Sequence, residues 1–128
     1  MIRVGLARAP DHYRGLTAPW HPSGEPPELA GRLGTGSRGE ENEIFSAVRA
    51  SLRALGLDEE NAGSANWNPL GSLVAPSGTI VLKPNFIRHW NPGAGSGVDA
   101  SVDSVITHGA ILRAMAEYAF LAVGPSGR

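Results

Sequence analysis

Four side chains in two short motifs have the chemistry to bind an anion. Lys83 and Asn85 belong to the sequence Lys-Pro-Asn, and Thr107 and His108 stand at the start of a predicted helix. A lysine ammonium attracts a carboxylate or phosphate, an asparagine amide donates and accepts hydrogen bonds, and a helix N-terminus carries unpaired N–H groups. These four residues form the predicted binding site for an anionic small molecule. The alternative is structural: Lys83 pairs with a neighbouring carboxylate and Asn85 caps a turn.

A divalent metal is the second ligand that the sequence allows. His89, Asp99, Asp103 and His108 could supply a mixed set of nitrogen and oxygen ligands. Their spacing matches no recognised metal motif, so a loop histidine, two solvated carboxylates and a helix-capping histidine are the alternative. The chain has no cysteine, which excludes an iron–sulfur cluster ligated within this segment and any disulfide.

Two predicted β-strands would position Lys83 and Asn85. Residues 79–83 have the sequence TIVLK, and three consecutive apolar residues are typical of a strand covered on both faces of a parallel sheet. Residues 2–6 alternate between large apolar and other side chains, which predicts a shorter first strand. In open sheets of this class a ligand binds beyond the carboxyl ends of the strands. Lys83 and Asn85 would lie at that end.

Two predicted helices would cover this sheet. Residues 40–57 carry apolar side chains every three or four positions, which predicts one apolar stripe on a helix. The stripe consists of Ile44, Val48, Leu52 and Leu55. Residues 108–121 form the second helix, with Thr107 as its N-cap. Strand, helix and strand in this order make a right-handed βαβ unit. The predicted fold class is therefore α/β, with an incomplete parallel sheet of the βαβ type and covering helices.

Residues 11–39 form a long proline- and glycine-rich insertion between the first strand and the first helix. Four prolines between positions 19 and 27 prevent a continuous helix or strand, so an arm or flap is predicted, held by Trp20 and His21. The alternative is a mobile surface excursion. Residues 34–39 match the glycine pattern of dinucleotide-binding loops. That function is not predicted, because no strand precedes them and three glutamates follow closely.

The composition limits the classes of partner. With 11 Lys and Arg against 12 Asp and Glu, the formal net charge is −1. This charge gives no electrostatic reason to bind nucleic acid or an anionic membrane. No apolar run approaches the ~20 residues that cross a bilayer. The N-terminus enters a strand pattern without a secretory signal, so we expect a cytoplasmic location.

The order of these motifs resembles the N-terminal part of the domain-of-unknown-function 362 family. The resemblance covers residues 1–8 and 43–128, and rests on the segments EIFSAVRASLRALG, LKPNFI and VITHGAILRAMAEY. The chain departs from the family in its insertion and at Gly109, where family members often have proline. The resemblance implies that residues 1–128 are the N-terminal portion of a single α/β domain whose C-terminal half is missing.

The same resemblance sets the expected function. It implies an uncharacterised protein of this family and allows an enzyme with an anion- or metal-binding site at the C-terminal edge of the sheet. The alternative is a non-catalytic redox-partner or binding module, because the family is sometimes joined to ferredoxin-type iron–sulfur domains. The sequence thus allows an anionic small molecule and a ferredoxin-type domain as partners. It identifies no cofactor, and a divalent metal is the one that the residues allow.

Overall fold

Two α-helices make up the regular structure of the protein. The computed structural model describes residues 2–10, 12–13, 15–33, 42–92, 101–103 and 105–125. Within these ranges, helix α1 is Glu43–Ala54 and helix α2 is Gly109–Val123, and the two pack against each other. Short 3₁₀ turns lie at Pro27–Leu29 and Glu59–Asn61. Both predicted helices are confirmed, with bounds shifted by one to three residues.

The predicted α/β fold is wrong. Across the described ranges the chain has no β-strand, so neither the parallel sheet nor its ligand-binding edge is present there. Residues 2–6 and 79–83 make no backbone–backbone hydrogen bond with any other described residue. A strand exists only as part of a hydrogen-bonded ladder with a neighbour. The apolar patterns predicted the local character of these segments, but pairing depends on a partner that local sequence does not specify.

Residues 77–85 instead run along α2, from its C-terminal to its N-terminal end. The Ser77 N–H donates to Val123 O (2.9 Å), and the Thr107 N–H donates to Asn85 O (2.8 Å). Eight steps of the chain thus span a helix of about 22 Å, which requires nearly extended backbone. Side-chain exposure alternates along the segment, with the even-numbered residues packed towards α2. The prediction that both faces are buried is therefore wrong.

Asn42 begins α1 and joins it to the proline-rich insertion. Its side-chain oxygen accepts a hydrogen bond from the Phe45 N–H (3.0 Å), as an N-cap does. Its side-chain amide donates to the carbonyl oxygens of Trp20 and His21 (2.9 and 3.1 Å). Its backbone N–H donates to Ser23 Oγ (2.6 Å). These bonds fix the described part of the insertion to the start of α1.

The hydrophobic core lies between the two helices and the loops around them. Three aromatic side chains, Phe45, Trp67 and Tyr118, are at most 1% exposed. The Tyr118 ring centroid lies 6.3 Å from that of Phe45 and 5.8 Å from that of Trp67. The insertion adds Leu29 and Leu33 to this cluster. Burying one such leucine contributes roughly 1.5–3 kcal/mol, so the insertion is a structural part of the core.

A buried ion pair joins the insertion to both helices. Arg49 donates through Nε to Glu28 Oε1 (2.6 Å) and through Nη2 to Glu28 Oε2 (3.0 Å). The Tyr118 hydroxyl also donates to Glu28 Oε1 (2.8 Å). The Arg49 guanidinium lies 5.3 Å from the centre of the Trp67 ring, a cation–π contact. Because a buried charge is costly unless it is paired and hydrogen-bonded, these contacts allow a carboxylate in the core.

The same contacts shift two pKa values in opposite directions. Burial by itself raises the pKa of Glu28, but the hydrogen bonds from Arg49 and Tyr118 bring that pKa below its ordinary value. Burial, and then the hydrogen bond to Glu28, raise the pKa of Tyr118 far above its ordinary value. At neutral pH Glu28 is therefore an ionised acceptor and Tyr118 a neutral donor.

Helix α2 packs through small side chains. Ala110 and Ala114 are completely buried, which lets neighbouring backbone approach this helix closely. Phe120, by contrast, is 57% exposed. None of the helices in the described ranges is both long enough and apolar enough to cross a membrane.

Candidate ligand-binding cleft

A cleft opens at the N-terminal end of α2. Its volume of ≈ 590 Å³ lies within the range of sites that hold small organic molecules. Its walls come from a turn of the insertion, from the loop after residue 85 and from the first turns of α2. Most of the lining is apolar, as such sites usually are. Its lining includes Trp20, Phe86, Thr107, Gly109 and Arg113.

Two hydrogen bonds join the Lys-Pro-Asn and Thr-His motifs beside this cleft. The Asn85 N–H donates to Thr107 Oγ1 (2.9 Å), and the Thr107 N–H donates to Asn85 O (2.8 Å). These bonds hold the loop against the start of α2. Thr107 lines the cleft, and its hydroxyl oxygen already accepts a hydrogen bond from Asn85. Lys83 is exposed and does not line the cleft. The structure thus brings Asn85 and Thr107 together at a helix end instead of a sheet edge.

His108, and not Thr107, is the N-cap of α2. The His108 Nδ1 atom accepts a hydrogen bond from the Ala110 N–H (3.1 Å), so the prediction of Thr107 as the cap is wrong by one residue. The His108 ring stacks on Tyr13 with 4.1 Å between centroids, and Trp20 meets its edge at 5.7 Å. Its packing between two aromatic rings fixes the orientation of the cap.

The first turn of α2 has fewer free donors than the sequence led us to expect. The Ala110 N–H is bonded to the His108 ring, and the Ile111 N–H donates to His108 O (3.1 Å). An ordinary helix start leaves its first N–H groups unpaired and available to an anion. Here two of these N–H groups are already paired, so the start of α2 offers fewer donors to a ligand.

Arg113 also lies at this cleft, and the sequence motifs did not indicate it. It lines the cleft, and its Nη2 atom pairs with Glu117 Oε1 at 2.5 Å. Its Nε atom is buried and has no hydrogen-bond acceptor within the described part of the chain. A buried donor without an acceptor costs roughly 1–3 kcal/mol. The available signal was an arginine inside an otherwise apolar stretch of helix, Ala-Ile-Leu-Arg-Ala-Met.

Gly109 allows Trp20 to form one wall of the cleft. A Cβ atom built on Gly109 would overlap three carbon atoms of the Trp20 ring. The ring therefore lies against the bare backbone of the first turn of α2. The packing of Trp20 gives a physical reason for a glycine at this position.

The predicted metal ligands are only partly brought together. His108 Nε2 and Asp103 Oδ1 lie 4.0 Å apart, whereas His89 is exposed and Asp99 lies outside the described residues. Over the ranges that the structure describes, no group of three or more potential ligand side chains is placed to hold a metal ion. The metal site stays a prediction.

Comparison with protein-family models, with curated proteins and with solved structures found no match to this chain. The resemblance to the domain-of-unknown-function 362 family, which rests on the motifs alone, therefore stays a prediction.

Proposed function

We propose that this protein binds a small organic anion in the cleft at the N-terminal end of α2. The proposed ligand has a carboxylate or phosphate group and an apolar or aromatic body. The observation that carries this proposal is the Nε donor of Arg113, which is buried without an acceptor beside an apolar cleft of ≈ 590 Å³.

The Arg113 side chain can gain from such a ligand what it lacks in the free protein. An anionic oxygen of the ligand within reach of this guanidinium would give its unpaired donor an acceptor. Hydrogen bonds between arginine and a carboxylate are among the stronger ones in proteins. The cost of the unsatisfied donor would also be removed. The ligand-bound protein would therefore be stabilised relative to the free protein, in which the Arg113 Nε atom has no acceptor.

The aromatic walls suit the remainder of the ligand. Trp20 and Phe86 both line the cleft, and Phe86 is 62% exposed in the free protein. Covering such side chains with an apolar ligand body removes apolar surface from water. The ligand is therefore expected to be flat or apolar at one end and anionic at the other.

The proposed function shares one feature with the function expected from the sequence, which is the binding of an anion. Catalysis by an enzyme of the predicted family, a divalent metal, a ferredoxin-type partner and a cytoplasmic location stay predictions from the sequence. A redox-partner or other non-catalytic binding module remains the alternative to an enzyme.

Titration with a matched pair of probes tests the proposal. We expect benzoate to shift the NMR signals of the Trp20 indole and the Gly109 amide, and benzyl alcohol, its uncharged analogue, to do so far less. A ligand this small gains roughly 0.5 kcal/mol per heavy atom, so the expected Kd is on the order of 1 mM. Equal shifts with both probes would show that no cation is involved.

Two variants separate the role of Arg113 from the rest of the cleft. The double variant Arg113→Gln with Glu117→Gln removes both charges of the pair and should weaken benzoate binding about tenfold, the loss of one charged hydrogen bond. Glu117→Gln alone should strengthen binding, because Glu117 competes for Arg113. Arg53→Gln, an exposed arginine at the end of α1, is the control and should leave the Kd unchanged. An unchanged Kd in the double variant contradicts the proposal.

A further inference from the structure

Trp20 lines the cleft with its backbone in an unusual conformation. Its φ angle is 54°, in the left-handed region, which a residue with a bulky side chain rarely adopts. Asp58 also has a positive φ, but its short carboxylate accepts hydrogen bonds from Asn61 and Asn68 nearby. An indole ring has no such local compensation. A conformation of this kind costs free energy, and it persists only where neighbouring groups hold it.

Asn42 holds the backbone of Trp20 from the start of α1. Its side-chain amide donates to the carbonyl oxygens of Trp20 and His21 (2.9 and 3.1 Å). Asn42 is itself fixed, because it is buried and its side-chain oxygen accepts from the Phe45 N–H (3.0 Å). The Trp20 N–H donates to Thr17 O (2.9 Å). Both polar groups of the Trp20 backbone are therefore paired in the left-handed conformation.

This conformation places the Trp20 ring at the wall of the cleft. The ring lies against the bare backbone of Gly109, and it meets the ring of His108 edge-on at 5.7 Å between centroids. A return of φ to the ordinary negative region would rotate the Trp20 side chain relative to the chain that follows it. The ring could not then keep its contact with Gly109, and the cleft would lose this wall.

We propose that Asn42 is a positioning residue for the ligand cleft, because its amide holds Trp20 in the conformation that presents the indole to a ligand. This inference rests on the proposed function, in which the indole covers the apolar body of the bound anion. Asn42 does not line the cleft, so it acts through Trp20. An indole that is already ordered in the free protein loses little freedom on binding, which favours affinity.

Asn42→Ser tests the positioning role. Serine can still cap α1, because serine and asparagine are similarly good N-caps, but it has no amide donor. We expect the Kd for benzoate, followed at the Gly109 amide signal, to rise about three- to fivefold as apolar contact with the indole is lost. The Trp20 indole signal of the free protein should also shift. Asn61→Ser removes an amide that donates to Asp58 Oδ1 away from the cleft, and this matched control should change neither measurement.

A double variant shows whether Asn42 acts through Trp20. Trp20→Ala alone should raise the Kd for benzoate about fivefold, because it removes one apolar wall. Adding Asn42→Ser to Trp20→Ala should change the Kd by less than about twofold, since no indole is left to position. A general loss of structure would instead weaken binding by the same factor with and without the indole.

Two results would overturn this inference and leave the proposed function intact. One is the same Kd for the natural chain and Asn42→Ser, and the other is an equal effect of Asn42→Ser in both backgrounds. A natural chain that does not bind benzoate would contradict the proposed function and this inference together. If Asn42→Ser does not fold, Asn42→Asp decides. Its carboxylate keeps the shape and the cap but repels the carbonyl oxygens of Trp20 and His21, so an unchanged Kd would contradict the positioning role.

Discussion

Glu28 is the residue on which the packing of the insertion depends most. Its side chain is fully buried, and it accepts three hydrogen bonds from side chains of α1 and α2. A carboxylate in this position joins three parts of the chain that are far apart in sequence. An apolar residue at position 28 would leave the Arg49 guanidinium and the Tyr118 hydroxyl without their hydrogen-bond acceptor.

Replacing Glu28 with glutamine should lower the free energy of unfolding by about 3 kcal/mol, because the change leaves the Arg49 charge without its partner. This value is at the low end for a broken buried pair, since 26% of the Arg49 side chain is exposed to water. Urea unfolding, followed by circular dichroism, measures the change. Glu59→Gln, an exposed glutamate, is the control and should change stability by less than about 0.5 kcal/mol. Equal effects of the two changes would show that the ion pair does not stabilise the fold.

The acid dependence of stability should also depend on Glu28. Its pKa is lower in the folded protein than in the unfolded chain, so the unfolded chain binds more protons in acid. The stabilisation is therefore complete above the ordinary glutamate pKa of about 4.3 and is lost as the pH falls through the lower folded-state pKa. Urea unfolding at a series of pH values should show a steeper acid loss for the natural chain than for Glu28→Gln. Parallel curves for the two proteins would contradict this assignment.

At the scale of elements, the contact between the insertion and α2 shapes the cleft. Trp20 lies against Gly109, and Asn42 holds the Trp20 carbonyl from the start of α1. The turn of the insertion is thus fixed to the first turns of both helices. The cleft exists because three separate segments meet there, and none of them forms it alone.

Gly109→Ala tests this contact. Alanine favours helix by about 1 kcal/mol over glycine inside a helix, but its methyl group would overlap the Trp20 ring. We expect a net destabilisation of about 1–2 kcal/mol, as for other overpacked sites, and a large shift of the Trp20 indole signal in NMR spectra. Gly24→Ala, where an added Cβ meets no atom within 4 Å, is the control. A more stable Gly109→Ala protein with an unmoved Trp20 would show that the ring does not pack on this glycine.

At the scale of the whole molecule, local patterns predicted the helices but not their surroundings. The apolar stripe from Ile44 to Leu55 and the alanine-rich run after Gly109 are local signals, so α1 and α2 could be predicted from them. The presence of a β-sheet could not be predicted from local patterns, because each strand must pair with a segment that is distant in sequence. Residues 79–83 have nearly extended backbone, but they pair with no other described segment.

The insertion was harder to predict for a related reason. Its prolines excluded regular structure, and this favoured a surface arm. Yet Glu28, Leu29 and Leu33 are buried in the core cluster or against it. Their burial depends on Arg49 and Tyr118, which lie 21 and 90 residues from Glu28. Arg113 could not be predicted as a binding residue for the same reason, because the burial of its unpaired Nε atom depends on the packing of α2.

The crystal structure of the protein with bound benzoate would test the proposed function most directly. We predict a carboxylate oxygen at a charged hydrogen-bond distance, about 2.7–2.9 Å, from a guanidinium nitrogen of Arg113, with the phenyl ring between Trp20 and Phe86. Benzoate bound in the cleft with its carboxylate directed away from Arg113, or bound only elsewhere on the protein, would contradict the account.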